Sequence, residues 1–158
     1  MTSWRIRLAE KRDLPALMEI ETTQFPEPWT RSMLLEEITN EHNRRYSVAE
    51  EHGHVIGYLG LMFVLADEMH VNTIGTRRGY EGRGVATSLL DEAWVIAHER
   101  GVARATLEVA VSNERAIELY RRFGFAPVGV RKNYYERTRE DALILWADVA
   151  PRTSSPAQ

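Results

Sequence analysis

The sequence predicts an α/β domain built around one mixed sheet. Short runs with strand character are interleaved with segments whose apolar residues recur at helical spacing. An early pair of strand-like runs is separated only by His52-Gly53-His54, which reads as a hairpin turn, whereas a later pair is separated by a long helical segment, which reads as a crossover. The length of 158 residues is about one domain at roughly 150 residues per domain. Residues 1–150 are therefore expected to form a single unit, and residues 151–158, rich in Pro, Ser and Thr, a loose tail.

Each element has a local reason. Residues 5–9 alternate charged and apolar side chains, as a half-buried strand does. Asp13 is placed to cap a helix carrying Leu14, Leu17, Met18 and Ile20, with Pro15 tolerated in its first turn. Pro26 and Pro28 forbid that helix from continuing, so Phe25-Pro26-Glu27-Pro28-Trp29 is a loop. Thr30 is a suitable N-cap for a second helix through Met33, Leu34, Glu37 and Ile38. Strands are expected over 45–49, 55–64 and 68–74, the last ending at Gly75. The run Arg78-Gly79-Tyr80-Glu81-Gly82-Arg83-Gly84 then leads into a helix with Val85, Leu89, Ala93 and Ile96 on one face and Gly101 at its end. A strand over 104–109, a helix capped by Ser112 or Asn113 and closed by Gly124, and strands over 125–131 and 142–149 complete the chain.

Composition narrows the chemistry. With 44% hydrophobic and 27% charged residues, the chain has enough apolar side chains for one core. It has no cysteine, which removes disulfides, thiolate metal sites and a cysteine nucleophile together. The net charge of -3 lacks the basic balance of a general nucleic-acid binder, and no nucleic-acid partner is expected. The start has no apolar leader, and the longest apolar stretch, residues 55–66, is broken by Gly57 and Gly60 and is too short to span a bilayer. A cytoplasmic protein with no membrane partner is expected. His52 and His54 lack further spaced ligands, so no metal is expected. Ser32, Ser47, Ser88 and Ser112 lack the setting of an activated serine. Trp4, Trp29, Trp94 and Trp146 are too widely spread to form a stacking platform.

Charge is unevenly distributed. Residues 17–51 hold eight acids against three arginines, while 76–84 and 131–139 are basic. The acidic stretch reads either as a solvated helix face or as a surface that steers a basic peptide. The order strand, glycine-rich loop, long helix over 69–100 reads either as a phosphate cradle, with backbone N–H groups and a helix N-terminus aimed at an anion, or as an ordinary left-handed turn. The glycine spacing at 79, 82 and 84 fits neither the dinucleotide fingerprint nor the P-loop.

The run Arg83-Gly84-Val85-Ala86 before Ser88-Leu89-Leu90 resembles the coenzyme A pyrophosphate motif of the GNAT acetyltransferases. Further on, Leu107-Glu108-Val109, Ser112-Asn113-Glu114-Arg115-Ala116-Ile117, Leu119-Tyr120, Phe123-Gly124-Phe125, Arg131-Lys132-Asn133-Tyr134-Tyr135 and Glu140-Asp141-Ala142 resemble the RimI-type N-terminal acetyltransferases, in that order. The loop Phe25-Pro26-Glu27-Pro28-Trp29 is similar to theirs as well, so the likeness spans residues 5–149. It implies the GNAT fold: a mixed, mostly antiparallel sheet of six to seven strands with four helices. One departure is Glu81, where that family usually has Gln or Arg.

The resemblance also implies site residues. Acetyl-CoA would be the co-substrate and coenzyme A the product. Ile74, Gly75 and Thr76 would pair with the pantetheine arm, Gly82, Arg83, Gly84, Val85, Ala86 and Thr87 would hold the pyrophosphate, and Asn113 would contact the cofactor. Glu108 is the implied base, directly or through a water, although its place in Leu-Glu-Val also suits a charge on the exposed face of a strand. Tyr120 is the implied acid, although Ala116 and Phe123 on the same helical face also suit it to the core. Phe25, Trp29, Asn133, Tyr134 and Tyr135 would form the peptide wall; the last three also read as a solvated hairpin tip.

The expected reaction is acetyl transfer to a protein N-terminal amine, the N-terminal alanine of a ribosomal protein by resemblance. It would proceed by direct attack in a ternary complex, since no cysteine is available for an acetyl-enzyme. A lysine or small-molecule amine is an alternative acceptor, and a non-catalytic coenzyme A-binding module is an alternative of another class. A monomer or weak homodimer is expected.

Overall fold

The computed structural model describes residues 3–65 and 67–149, so the expected tail at 151–158 lies outside the described residues. Seven strands form one sheet: β1 (Arg5–Leu8), β2 (Arg44–Glu51), β3 (His54–Val64), β4 (Glu68–Thr76), β5 (Arg104–Ala110), β6 (Ala126–Tyr135) and β7 (Glu140–Asp148). Four helices accompany them: α1 (Leu14–Gln24), α2 (Arg31–Thr39), α3 (Val85–Arg100) and α4 (Glu114–Arg122). The strand order is β1-β2-β3-β4-β5-β7-β6, antiparallel everywhere except between β4 and β5. That parallel pair requires a crossover, and α3 supplies it.

Helices cover both faces of the sheet. Leu14, Leu17 and Ile20 of α1 and Leu34 of α2 pack with Tyr46, Val48, Val55 and Tyr58. Val85, Leu89, Leu90, Ala93 and Ile96 of α3 join Leu59, Leu61, Leu107 and Tyr120 in the other cluster. Burying one such aliphatic side chain stabilises the fold by about 1.5–3 kcal/mol. The stripe on α3 expected from its spacing is thus the stripe that meets the sheet.

Several local expectations need correction. Asp13 does not cap α1 with its side chain; it ends a 3-10 turn over Lys11–Asp13 and accepts from the Glu10 N–H and from Arg7. Arg7 is half-buried on β1 and offers a guanidinium fork, which holds the carboxylate more strongly than a helix terminus does. At the other end of α1, Phe25 is extended (φ -123, ψ 138), as a residue before proline should be. Asn113 rather than Ser112 caps α4, its Oδ1 accepting from Ala116 N–H at 3.2 Å.

The largest correction concerns Asn133, Tyr134 and Tyr135. They belong to β6 itself, and the turn is left to residues 136–139. The ladder slips between Arg131 and Tyr135, where Asn133 adopts φ 50 and its N–H donates to Asp141 Oδ1 at 2.9 Å. The extra length comes from pairing with β7, a tertiary contact that local turn propensity does not report.

Candidate active site

β4 and β5 pair at only three positions, Glu68↔Arg104, Met69↔Ala105 and His70↔Thr106, although both strands run on. Beyond His70 they diverge and open a cavity of about 1230 Å³ lined by residues 70–76 and 107–110. The lining also takes in the turn into α3, residues of the 25–29 loop, and Tyr134 and Tyr135. The cavity therefore exists because a parallel pair is left incomplete, with one branch leading into α3 and the other into α4.

At the α3 end the backbone favours an anion. Gly82 (φ +78) and Gly84 (φ +91) are left-handed, and the space where a Cβ would stand is open at both. Gly84 caps α3 without a side chain, so the N–H groups of Val85, Ala86 and Thr87 are left without an intrahelical acceptor. These residues line the cavity with Ile74, Gly75, Thr76 and Asn113. An elongated anionic ligand with a pyrophosphate fits such a cradle. Arg83 is the exception: its guanidinium pairs with Glu51 at 2.8 Å, lies over the rings of Trp4 and Tyr80, and is not itself part of the cavity lining. Glu81 folds back so that Oε1 accepts from Gly79 N–H at 2.7 Å, and its backbone bonds hold its pKa below the ordinary range.

At the other end, Glu108 stands half-buried on β5 with Oε1 2.8 Å from His70 Nε2. The hydrogen bond from His70 holds the Glu108 pKa below its ordinary value against the opposing effect of burial. Tyr120 projects from α4 into the lining, 6% exposed, and stacks edge-on to Phe125 at 5.8 Å. Burial raises its pKa, so the phenol stays protonated at neutral pH. The core-packing and cavity-facing readings of Tyr120 both hold. Tyr134 and Tyr135 meet edge-to-face at 5.0 Å on the cavity wall. Phe25 and Trp29 also line the cavity, with the Phe25 ring beside Gly75 of β4. Asn133 does not line the cavity; its backbone is spent on Asp141.

Among the polar cavity residues left unassigned by sequence reading are these four: Glu21, Glu37, His70 and Asn72. Glu21 is fully buried and accepts from the hydroxyls of Tyr58 and Thr73 and from the Trp29 N–H, tying the 25–29 loop to the sheet. Burial raises its pKa despite those donors. The alternation of β4, which puts His70, Asn72 and Ile74 on one side, was the available signal for two of the four.

A sheet opened between parallel strands, with bare helix N-terminal amides at one end and a hydrogen-bonded carboxylate at the other, suits an acyltransferase. The chain belongs to the Acetyltransferase (GNAT) family, whose sequence pattern matches residues 14–125. The putative ribosomal protein bS18-alanine N-acetyltransferase of Bacillus subtilis is 35% identical over 94% of this chain and 97% of its own length. The ribosomal protein bS18-alanine N-acetyltransferase of Escherichia coli is 32% identical over 86% of this chain and 91% of its own. The crystal structure of the ribosomal-protein-S18-alanine N-acetyltransferase from Escherichia coli superposes with a TM-score of 0.85 and 28% identity, covering 96% of this chain and 97% of that one. The seven-stranded sheet and four helices are the GNAT fold. No helix among the described residues is long and apolar enough to cross a membrane.

Proposed function

We propose that this chain transfers the acetyl group of acetyl-CoA to the N-terminal alanine of ribosomal protein bS18 in the cytoplasm, by direct attack within a ternary complex. One observation carries the reading: a single continuous cavity joins the bare N-terminus of α3 to Glu108 and the paired tyrosines. The names of the Bacillus subtilis and Escherichia coli relatives support the choice of acceptor.

Acetyl-CoA supplies the activated acyl group. The amides of residues 82–87 hold its pyrophosphate, and the free edge of β4 at Ile74, Gly75 and Thr76 pairs with the pantetheine arm. An α-amine titrates near pH 8, so part of it is already neutral at pH 7 and the base has modest work. Glu108 accepts the proton released as the amine attacks. Tyr120, kept protonated by burial, donates to the departing sulfur. Phe25, Trp29, Tyr134 and Tyr135 enclose the peptide.

The deciding experiment offers acetyl-CoA with short peptides whose N-terminus is free or blocked and locates the acetyl group by mass spectrometry. Acetylation of a free N-terminal alanine is expected. Modification confined to lysine side chains or to small amines would overturn the acceptor, and coenzyme A binding without release of acetyl to any amine would overturn catalysis.

A further inference from the structure

The contact between His70 and Glu108 is one link in a longer chain of hydrogen bonds. His70 Nδ1 is bonded to Asn72 Oδ1, and Asn72 Nδ2 lies 3.1 Å from Glu37 Oε1. Glu37 also accepts from Arg44 Nε at 2.9 Å and from the Tyr46 hydroxyl at 2.8 Å. A carboxylate paired with arginine offers only lone pairs, so Asn72 must turn its NH2 toward Glu37 and its oxygen toward His70. The oxygen accepts, and His70 therefore carries a proton on Nδ1. In a neutral ring of that tautomer Nε2 presents a lone pair to Glu108, which presents another across 2.8 Å. A further proton on Nε2 turns this repulsion into a charge-assisted hydrogen bond.

We propose that Asn72, oriented by Glu37, fixes the tautomer of His70 and so keeps one proton on the His70–Glu108 pair, and that Glu108 accepts a proton from the amine only after this one has left. The proposal rests on the reading of Glu108 as the base. The pair releases its proton to water in the cavity. The amine N–H proton then passes to the pair as the new N–C bond forms, and the proton released to water replaces the one that Tyr120 gives to the departing sulfur, so the starting state is restored. Asn72 is a positioning residue, acting through His70.

The charged groups facing His70 are Glu108 on β5 and Arg131 on β6, with the Glu37–Arg44 ion pair of α2 and β2 behind Asn72. Burial lowers the ring's pKa, but the hydrogen bonds to Glu108 and Asn72 and the charge of Glu108 outweigh burial and Arg131, and the net shift is upward.

Nitrogen-15 NMR of the His70 ring in the full chain, without acetyl donor or peptide, tests the lock directly. The wild-type ring is expected to titrate above the ordinary value of about 6.5 and, when neutral, to hold its proton on Nδ1. In Asn72→Leu the neutral proton is expected to move to Nε2 and the midpoint to fall, and because that proton then stays on the pair, kcat/KM is expected to drop across the whole pH range. A wild-type neutral ring protonated on Nε2 overturns the proposal even if the variant does not fold, and so does an unchanged midpoint in a folded Asn72→Leu. The ring titration needs no turnover, so failure of the acetyltransferase reading would show as absent acetylation beside an intact Asn72-dependent titration.

Discussion

Glu108 Oε1 and His70 Nε2 lie 2.8 Å apart, although 38 residues separate them along the chain. They meet because His70 is the last β4 residue paired to β5, just where the strands begin to part. The carboxylate is thus ionised and oriented at the mouth of the opening rather than free on a strand face.

Replacing Glu108 by Gln keeps the shape and removes the basic oxygen. Turnover of an N-terminal peptide is expected to fall by roughly 10²-fold or more, with little change in acetyl-CoA affinity. Tyr120→Phe should lower turnover on a similar scale through loss of the donor to sulfur. Steady-state kinetics with both substrates varied measures these effects and should give intersecting double-reciprocal lines; parallel lines in the wild type would contradict the ternary complex.

The side chain of Arg83 is engaged by Glu51 and two aromatic rings, so Arg83→Ala should leave the KM for acetyl-CoA nearly unchanged. Gly84→Val should raise it strongly, because a side chain at φ +91 is disfavoured by about 1–2 kcal/mol and the cradle must shift. A large effect of Arg83→Ala with a small one of Gly84→Val would place the anion elsewhere.

Glu81 adds a negative charge to the lining at the cradle end. Glu81→Gln is expected to tighten acetyl-CoA binding about two- to fivefold, the usual scale for an exposed charge, and the gain should shrink as salt screens it. Calorimetric titration at two ionic strengths reads both effects.

Asp13 contributes pH-dependent stability. Burial raises its pKa, but the bonds from Arg7 and the Glu10 N–H outweigh burial, and the net shift is downward. A carboxylate with a lowered folded pKa stabilises the fold fully above its unfolded value of about 3.9, and that contribution is lost as pH falls through the folded value. Thermal melts should show Asp13→Asn less stable at pH 7 by on the order of 3 kcal/mol, since the Arg7 charge loses one of its partners. The difference from wild type should narrow on acidification below pH 4; a gap that stays constant would show that ionisation of Asp13 is irrelevant.

Sequence alone determined the elements whose signals are local: α1 stopped by Phe25-Pro26, α2 capped by Thr30, the glycine turn into α3, and the acyltransferase motif carried on contiguous residues. Glu108 and Tyr120 stood out as candidates for the same reason, each sitting in a short recognisable run, and both line the cavity. Only the tertiary structure decided that Arg83 turns to Glu51, that β6 extends through Tyr135, and that His70, Asn72 and Glu37 form a chain ending at Glu108. A side chain's partner depends on which strands lie side by side and where their ladder breaks. That is set by packing across residues distant in sequence, whereas caps, turns and prolines act within a few residues of themselves.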